Sequence, residues 1–160
     1  VSDHKELYDY RARLLAKMIS ASQEFCTLCR EAQTGFDPLN LDGWNLHQIA
    51  AHVRDVNEMV YGARLRRSVG EEHSVFQNFE SDAWLHGQYA PDESLEKILG
   101  EFSANVLELV GWLETLPPEA WSRLSRHEVY GEFAMQSWAE RSLAHLVQHL
   151  KSIQEHKTTI

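Results

Sequence analysis

From Leu95 to Leu113 the apolar residues Leu95, Ile98, Leu99, Phe102, Val106, Leu109, Val110 and Leu113 recur every three or four positions. That period lines them up on one face of an α-helix. Pro117-Pro118 must end it, because proline lacks the N–H a helix interior needs and pushes its predecessor out of helical geometry. Pro91 and the acidic residues after it suit the opening turn, so the helix starts at Asp92 or Ser94. The same period governs three more stretches. Helix one runs from about Asp3 to Ala32 on Leu7, Tyr8, Leu14, Leu15, Met18, Ile19, Phe25, Cys26 and Cys29, and Gly35 and Pro38 open the loop after it. Helix two starts near Asn45, an N-cap with Gln48 three residues on, and carries Leu46, Ile49, Val53, Val56 and Val60 before ending by about Gly70. Helix four spans Met135 to His156 on Leu143, Leu146, Val147, Leu150 and Ile153.

Four amphipathic helices must bury their stripes on one another, so the fold class is all-α, a four-helix bundle. Two connections are too long for simple up-and-down hairpins. Residues 70–91 read as a crossover between helices two and three, with a short helical turn and the scattered aromatics Phe76, Phe79, Trp84 and Tyr89. A connection of that length in a compact domain often covers something, a pocket wall or a lid. Residues 117–136 form the second connection. At 160 residues the chain suits a single domain, 1–160, with one core.

Charge narrows the partners. With 24 acidic residues against 15 basic ones, the surface suits neither a phosphate backbone nor an anionic membrane. The basic cluster Arg64, Arg66 and Arg67 lies at a helix end, where it can complement the helix dipole. No run approaches the ~18 apolar residues needed to cross a bilayer. The charged N-terminal stretch lacks the apolar centre of a secretory signal, so a cytoplasmic location is expected. Cys26 and Cys29 have Cys-x-x-Cys spacing but no preceding strand and no second pair. They read as small apolar residues on one helix face, with no disulfide expected.

The chemistry lies with histidine. In Ser142-Leu143-Ala144-His145-Leu146-Val147-Gln148-His149 the two imidazoles are four residues apart, one above the other on a helix, and can chelate one divalent metal. His52 sits on helix two about 80° from the centre of its apolar stripe, a border position. His149 lies about 95° from the stripe centre of helix four and His145 about 135°, so His145 needs a cleft to be useful. Three imidazoles from two helices would leave metal positions open for water or substrate. Zinc or nickel comes first, and manganese and iron accept similar ligands. Asp55 and Ser142 stand at spacings from which an outer hydrogen bond to a ligand could come. His4, His47, His73, His86 and His127 read as surface or loop polarity, and His156 lies near a helix end. Gly-x-Gly-x-x-Gly, P-loop, Gly-x-Ser-x-Gly and His-Glu-x-x-His patterns are all missing.

Two segments together resemble the DinB-like superfamily of metal-binding four-helix bundles. Trp44-Asn45-Leu46-His47-Gln48-Ile49-Ala50-Ala51-His52-Val53 is similar to the family's opening of helix two, and Gly131-Glu132-Phe133 followed by His145-x-x-x-His149 to its C-terminal pattern. The resemblance implies that His52, His145 and His149 are metal ligands, that the crossover lies between helices two and three, and that the chain forms a homodimer. Known activities in the family include thiol-dependent transferases and a mycothiol-dependent isomerase. The chain departs from the family at Ala134, where Thr is frequent, and around Ser152 and Ile153, where a Gln is frequent. Three readings follow: a metal-dependent enzyme moving a low-molecular-weight thiol onto a small electrophile, a non-enzymatic metal-binding stress or sensor module, and a helical dimer whose histidines fill a polar seam.

Overall fold

A computed structural model describes residues 2–33 and 43–159. The loop expected at Gly35 and Pro38 lies outside the described residues. In chain order the elements are α1 (Ser2–Ala32), α2 (Leu46–Asp55), a π-helical segment (Val56–Gly62), α3 (Ala63–Gly70), β1 (Val75–Phe76), α4 (Ser81–Gly87), α5 (Leu95–Glu114), a 3₁₀ turn (Pro118–Ser122), β2 (Leu124–His127), β3 (Gly131–Ala134) and α6 (Met135–Thr159). The long helix expected from Asn45 to Gly70 is therefore one rod with a π segment in its middle. Its start is the capping box expected from sequence. Asn45 Oδ1 accepts the Gln48 N–H at 2.8 Å, and Gln48 Oε1 accepts the Asn45 N–H at 2.9 Å. Ser94 caps α5 by accepting the Lys97 N–H at 3.2 Å.

Helix α1 packs along α5 and α6, and α2 packs on α5. The expected stripes meet inside: Phe25 stands edge-on to Phe102 at 5.6 Å, with Met18, Ile49, Val53, Leu99, Val106, Leu109, Leu113, Leu150 and Ile153 buried around them. Tyr8 is the exception on the first stripe and stays exposed. Cys26 and Cys29 are buried free thiols on the same face. Desolvation pushes both thiols up, so neither offers a thiolate.

The two connections differ from the loops expected of them, because they pair with each other. Val75 and Phe76 run parallel to Arg126 and His127, and Leu124–His127 folds back antiparallel on Gly131–Ala134. The hairpin closes at Gly131, whose φ of +87° suits glycine alone at little strain. Trp138 of α6 anchors this small sheet. It is 1% exposed, donates its indole N–H to Ser125 Oγ at 2.8 Å and packs on Phe76 and Phe133. No helix among the described residues is long and apolar enough to cross a membrane.

Candidate metal centre

The border position of His52 on α2 and the i, i+4 pair of α6 bring three imidazoles to one point. His52 Nε2 and His145 Nε2 are 3.1 Å apart, and His145 Nε2 and His149 Nε2 are 3.2 Å apart. One ligand nitrogen from each of the three lies within 4.8 Å of the others, and no other such group occurs among the described residues. Three nitrogens each about 2.0–2.1 Å from one zinc ion would stand roughly 3 Å from one another. The donor set and its spacing thus fit a divalent ion. His156 is not part of the cluster.

Burial explains the protonation state. His52 is 5% exposed, and desolvation first, then the neighbouring His149, lowers its pKa to about 4. His145 is lowered to about 3, by desolvation and then by His149 and His52. Its surface is half-buried, yet the protein surrounds it densely enough to keep it neutral. Neutral imidazole is the form that binds metal.

The cleft that His145 required from its angle on α6 is built by the crossover. Phe79 and Trp84 bring their rings to 6.0 and 5.5 Å from His52, and Trp44 stands edge-on to it at 5.0 Å. Trp44 and Trp84 stack on each other at 5.7 Å. Tyr61, on the π segment, comes to 5.7 Å from His145. A cleft of about 280 Å³ opens on the three histidines between Trp44, Ile49, Ser81 and Gln148. The crossover is held there by polar contacts. Trp84 Nε1–H donates to Asp55 Oδ2 at 2.9 Å, while Arg54 pairs with Asp55 at 2.9 Å, Glu93 at 2.7 Å and Glu101 at 3.1 Å. His47 is the other pin: its ring nitrogens meet Tyr89 Oη and the Glu93 carbonyl. Asp55 therefore serves Trp84 and Arg54 and does not support a histidine of the cluster. His52 Nδ1 is buried with no hydrogen-bond partner, among aromatic rings. Ser142 is buried beside His145 in the interior.

Sequence reasoning expected a wall or lid from the crossover that carries Phe79 and Trp84 but did not say which rings would face His52, and it misplaced Arg64. Far from complementing the helix dipole at the surface, Arg64 is 9% exposed. The signal was its spacing, four residues after Val60 and so in line with the buried row Val53, Val56 and Val60. Arg141 likewise stands four residues before His145 and eight before His149, on their side of α6.

Comparison with known proteins agrees with this architecture. YfiT from Bacillus subtilis, described as a probable metal-dependent hydrolase with an unusual four-helix bundle topology, superposes with a TM-score of 0.81 over 93% of this chain and 86% of its own, at 16% identity. That likeness shows the fold. No curated protein matches the chain. The model of the DinB superfamily matches residues 11–153, and with the bundle and its crossover in place the chain belongs to the DinB superfamily.

Proposed function

We propose that His52, His145 and His149 hold one divalent metal ion and that the chain is a metal-dependent enzyme acting on a small electrophile. The observation that carries this is the convergence of three imidazole nitrogens, 3.1 and 3.2 Å apart and two of them kept neutral by burial, at the floor of an open cleft. A bound divalent ion lowers the pKa of a thiol or water and polarises a carbonyl. The residues around it set the conditions. His52 and His145 are kept neutral by burial and do not compete for the proton released by a nucleophile. Trp44, Phe79 and Trp84 exclude water from one flank.

The nucleophile we assign is the thiol of a low-molecular-weight cofactor. Both cysteines of the chain are buried in α1, so the protein supplies no thiolate of its own to the cleft. Water is the second candidate, favoured by the description of YfiT as a probable metal-dependent hydrolase. Elemental analysis of the purified protein, followed by turnover assays, separates them. Thiol consumption with a model electrophile supports transfer, and ester or amide cleavage without thiol supports hydrolysis. Metal-loaded protein inert in both assays, with metal-dependent self-association, would instead favour the sensor module. His149→Ala should abolish stoichiometric uptake, and unchanged metal content in that variant would refute the site.

A further inference from the structure

A second cleft, of about 210 Å³, shares His52 and His145 as one wall and has Tyr61, Arg64, His127 and Arg141 along the other. Among the described residues no acidic side chain lines it. Arg64 donates Nη2–H to the Gln77 carbonyl at 3.0 Å, and its guanidinium lies 4.8 Å from the Trp138 ring. Arg141 lies over Phe133 at 4.5 Å and Tyr130 at 5.4 Å. Among the described residues neither arginine pairs with a carboxylate, whereas Arg54, Arg66 and Arg67 of the same helical rod all do. Carboxylates are not scarce in a chain of charge −9. The nearby Glu128 accepts the Asn78 N–H at 2.7 Å instead.

A buried guanidinium without a carboxylate, as at Arg64, is costly unless an anion joins it, and the exposed Arg141 brings a second guanidinium to the same cleft. Burial, and with it the like charge of Arg141, holds the Arg64 pKa below its usual value. His127 adds a donor. Its Nδ1 accepts the N–H groups of Val129 at 3.1 Å and Tyr130 at 3.2 Å, so the proton sits on Nε2, which is buried with no partner. The cleft is thus rich in N–H and O–H donors and lies one ring away from the histidines. Tyr61 is 5.7 Å from the His145 ring and 5.9 Å from the Arg64 guanidinium.

We propose that this cleft is an anion subsite, in which Arg64 and Arg141 take the carboxylate or phosphate of a small substrate whose reacting atom lies toward His52 and His145. Planar guanidinium forks match such oxygens in pairs. The identification of that anion with the substrate rests on the metal reading above, but the subsite itself stands on the arginines.

Calorimetry with 3-mercaptopropionate, its methyl ester and inorganic phosphate, on both zinc-loaded and metal-free protein, tests it. Metal-free protein should bind the acid and not the ester. Arg141→Gln should weaken the acid by about tenfold or more, the usual consequence of losing a charged hydrogen bond, while zinc stoichiometry and ester affinity stay unchanged. Arg141 is exposed, so this variant folds, and circular dichroism checks the buried Arg64→Gln. Phosphate that displaces the acid assigns the subsite to phosphate groups, and an acid that phosphate cannot displace assigns it to carboxylates. Equal binding of acid and ester to metal-free protein, or an acid preference that survives both arginine variants, would overturn the proposal. A protein that takes no zinc yet prefers the acid would sink the metal reading alone.

Discussion

At the scale of single residues, burial keeps two of the three clustered imidazoles neutral. His52 and His145 titrate near 4 and 3 in the fold, against about 6.5 in an unfolded chain. The folded values are depressed, so below about pH 6.5 the unfolded chain binds more protons than the native one. Stability of the metal-free protein is therefore complete above about 6.5 and falls as pH drops from there toward 4 and 3. Denaturant midpoints measured from pH 8 to 4 should decline through this window, and His52→Gln should flatten the decline. A midpoint insensitive to pH in the wild type would contradict the neutral assignment. For the metal, losing an outer partner of a ligand commonly costs 10–100-fold in affinity. Losing a ligand itself should cost more, so the affinity of His149→Ala for zinc should drop by more than about 100-fold, read by competition with a chromophoric chelator.

Among the elements, the π segment and the crossover do the positioning. In the π segment a Cβ on Gly62 would stand 2.7 Å from the Asn57 carbonyl oxygen and 3.0 Å from Arg66 Nη1. That backbone oxygen cannot move aside without changing the helix, and overpacking of this kind costs about 1–3 kcal/mol. Gly62→Ala should lower the unfolding free energy by that amount. The crossover is tied down through Trp84. Trp84→Phe keeps an apolar ring beside His52 but removes the indole donor to Asp55, at a cost of about 1 kcal/mol. Hydrogen exchange should then quicken across α4, and unchanged protection there would show that the indole bond does not hold the crossover. The short strands escaped the sequence reading for a local reason. Val75–Phe76 is two residues long, too short for an alternating pattern, and its partner Arg126–His127 lies some fifty positions on.

For the whole molecule the three-histidine cluster brings distant parts of the chain together, and a divalent ion held there would clamp them. The cluster joins α2 to α6, which elsewhere meet through the π segment and α3 of the same rod. A ligand that binds only the folded state stabilises it by about 2.7 kcal/mol when present at 100 times its Kd. For a domain of this size that corresponds to a rise in Tm of roughly 5–10 °C. Thermal scans with and without zinc should show it, chelator should reverse it, and His149→Ala should erase it. An equal shift in the variant would place the binding ion elsewhere.

The helices, their limits within a few residues, the capping box at Asn45 and the facing of His145 and His149 were legible in the chain itself, because each depends on spacing along one helix; that His52 joins the pair depends on how two helices pack. The packing of Trp44, Phe79 and Trp84 around His52, the pairing of the two connections and the burial of Arg64 were decided only in three dimensions. Each joins segments tens of residues apart, and no local period records which face of one helix will meet which loop. Periodicity told which side of α6 the histidines occupy; only the packed crossover made that side a cleft.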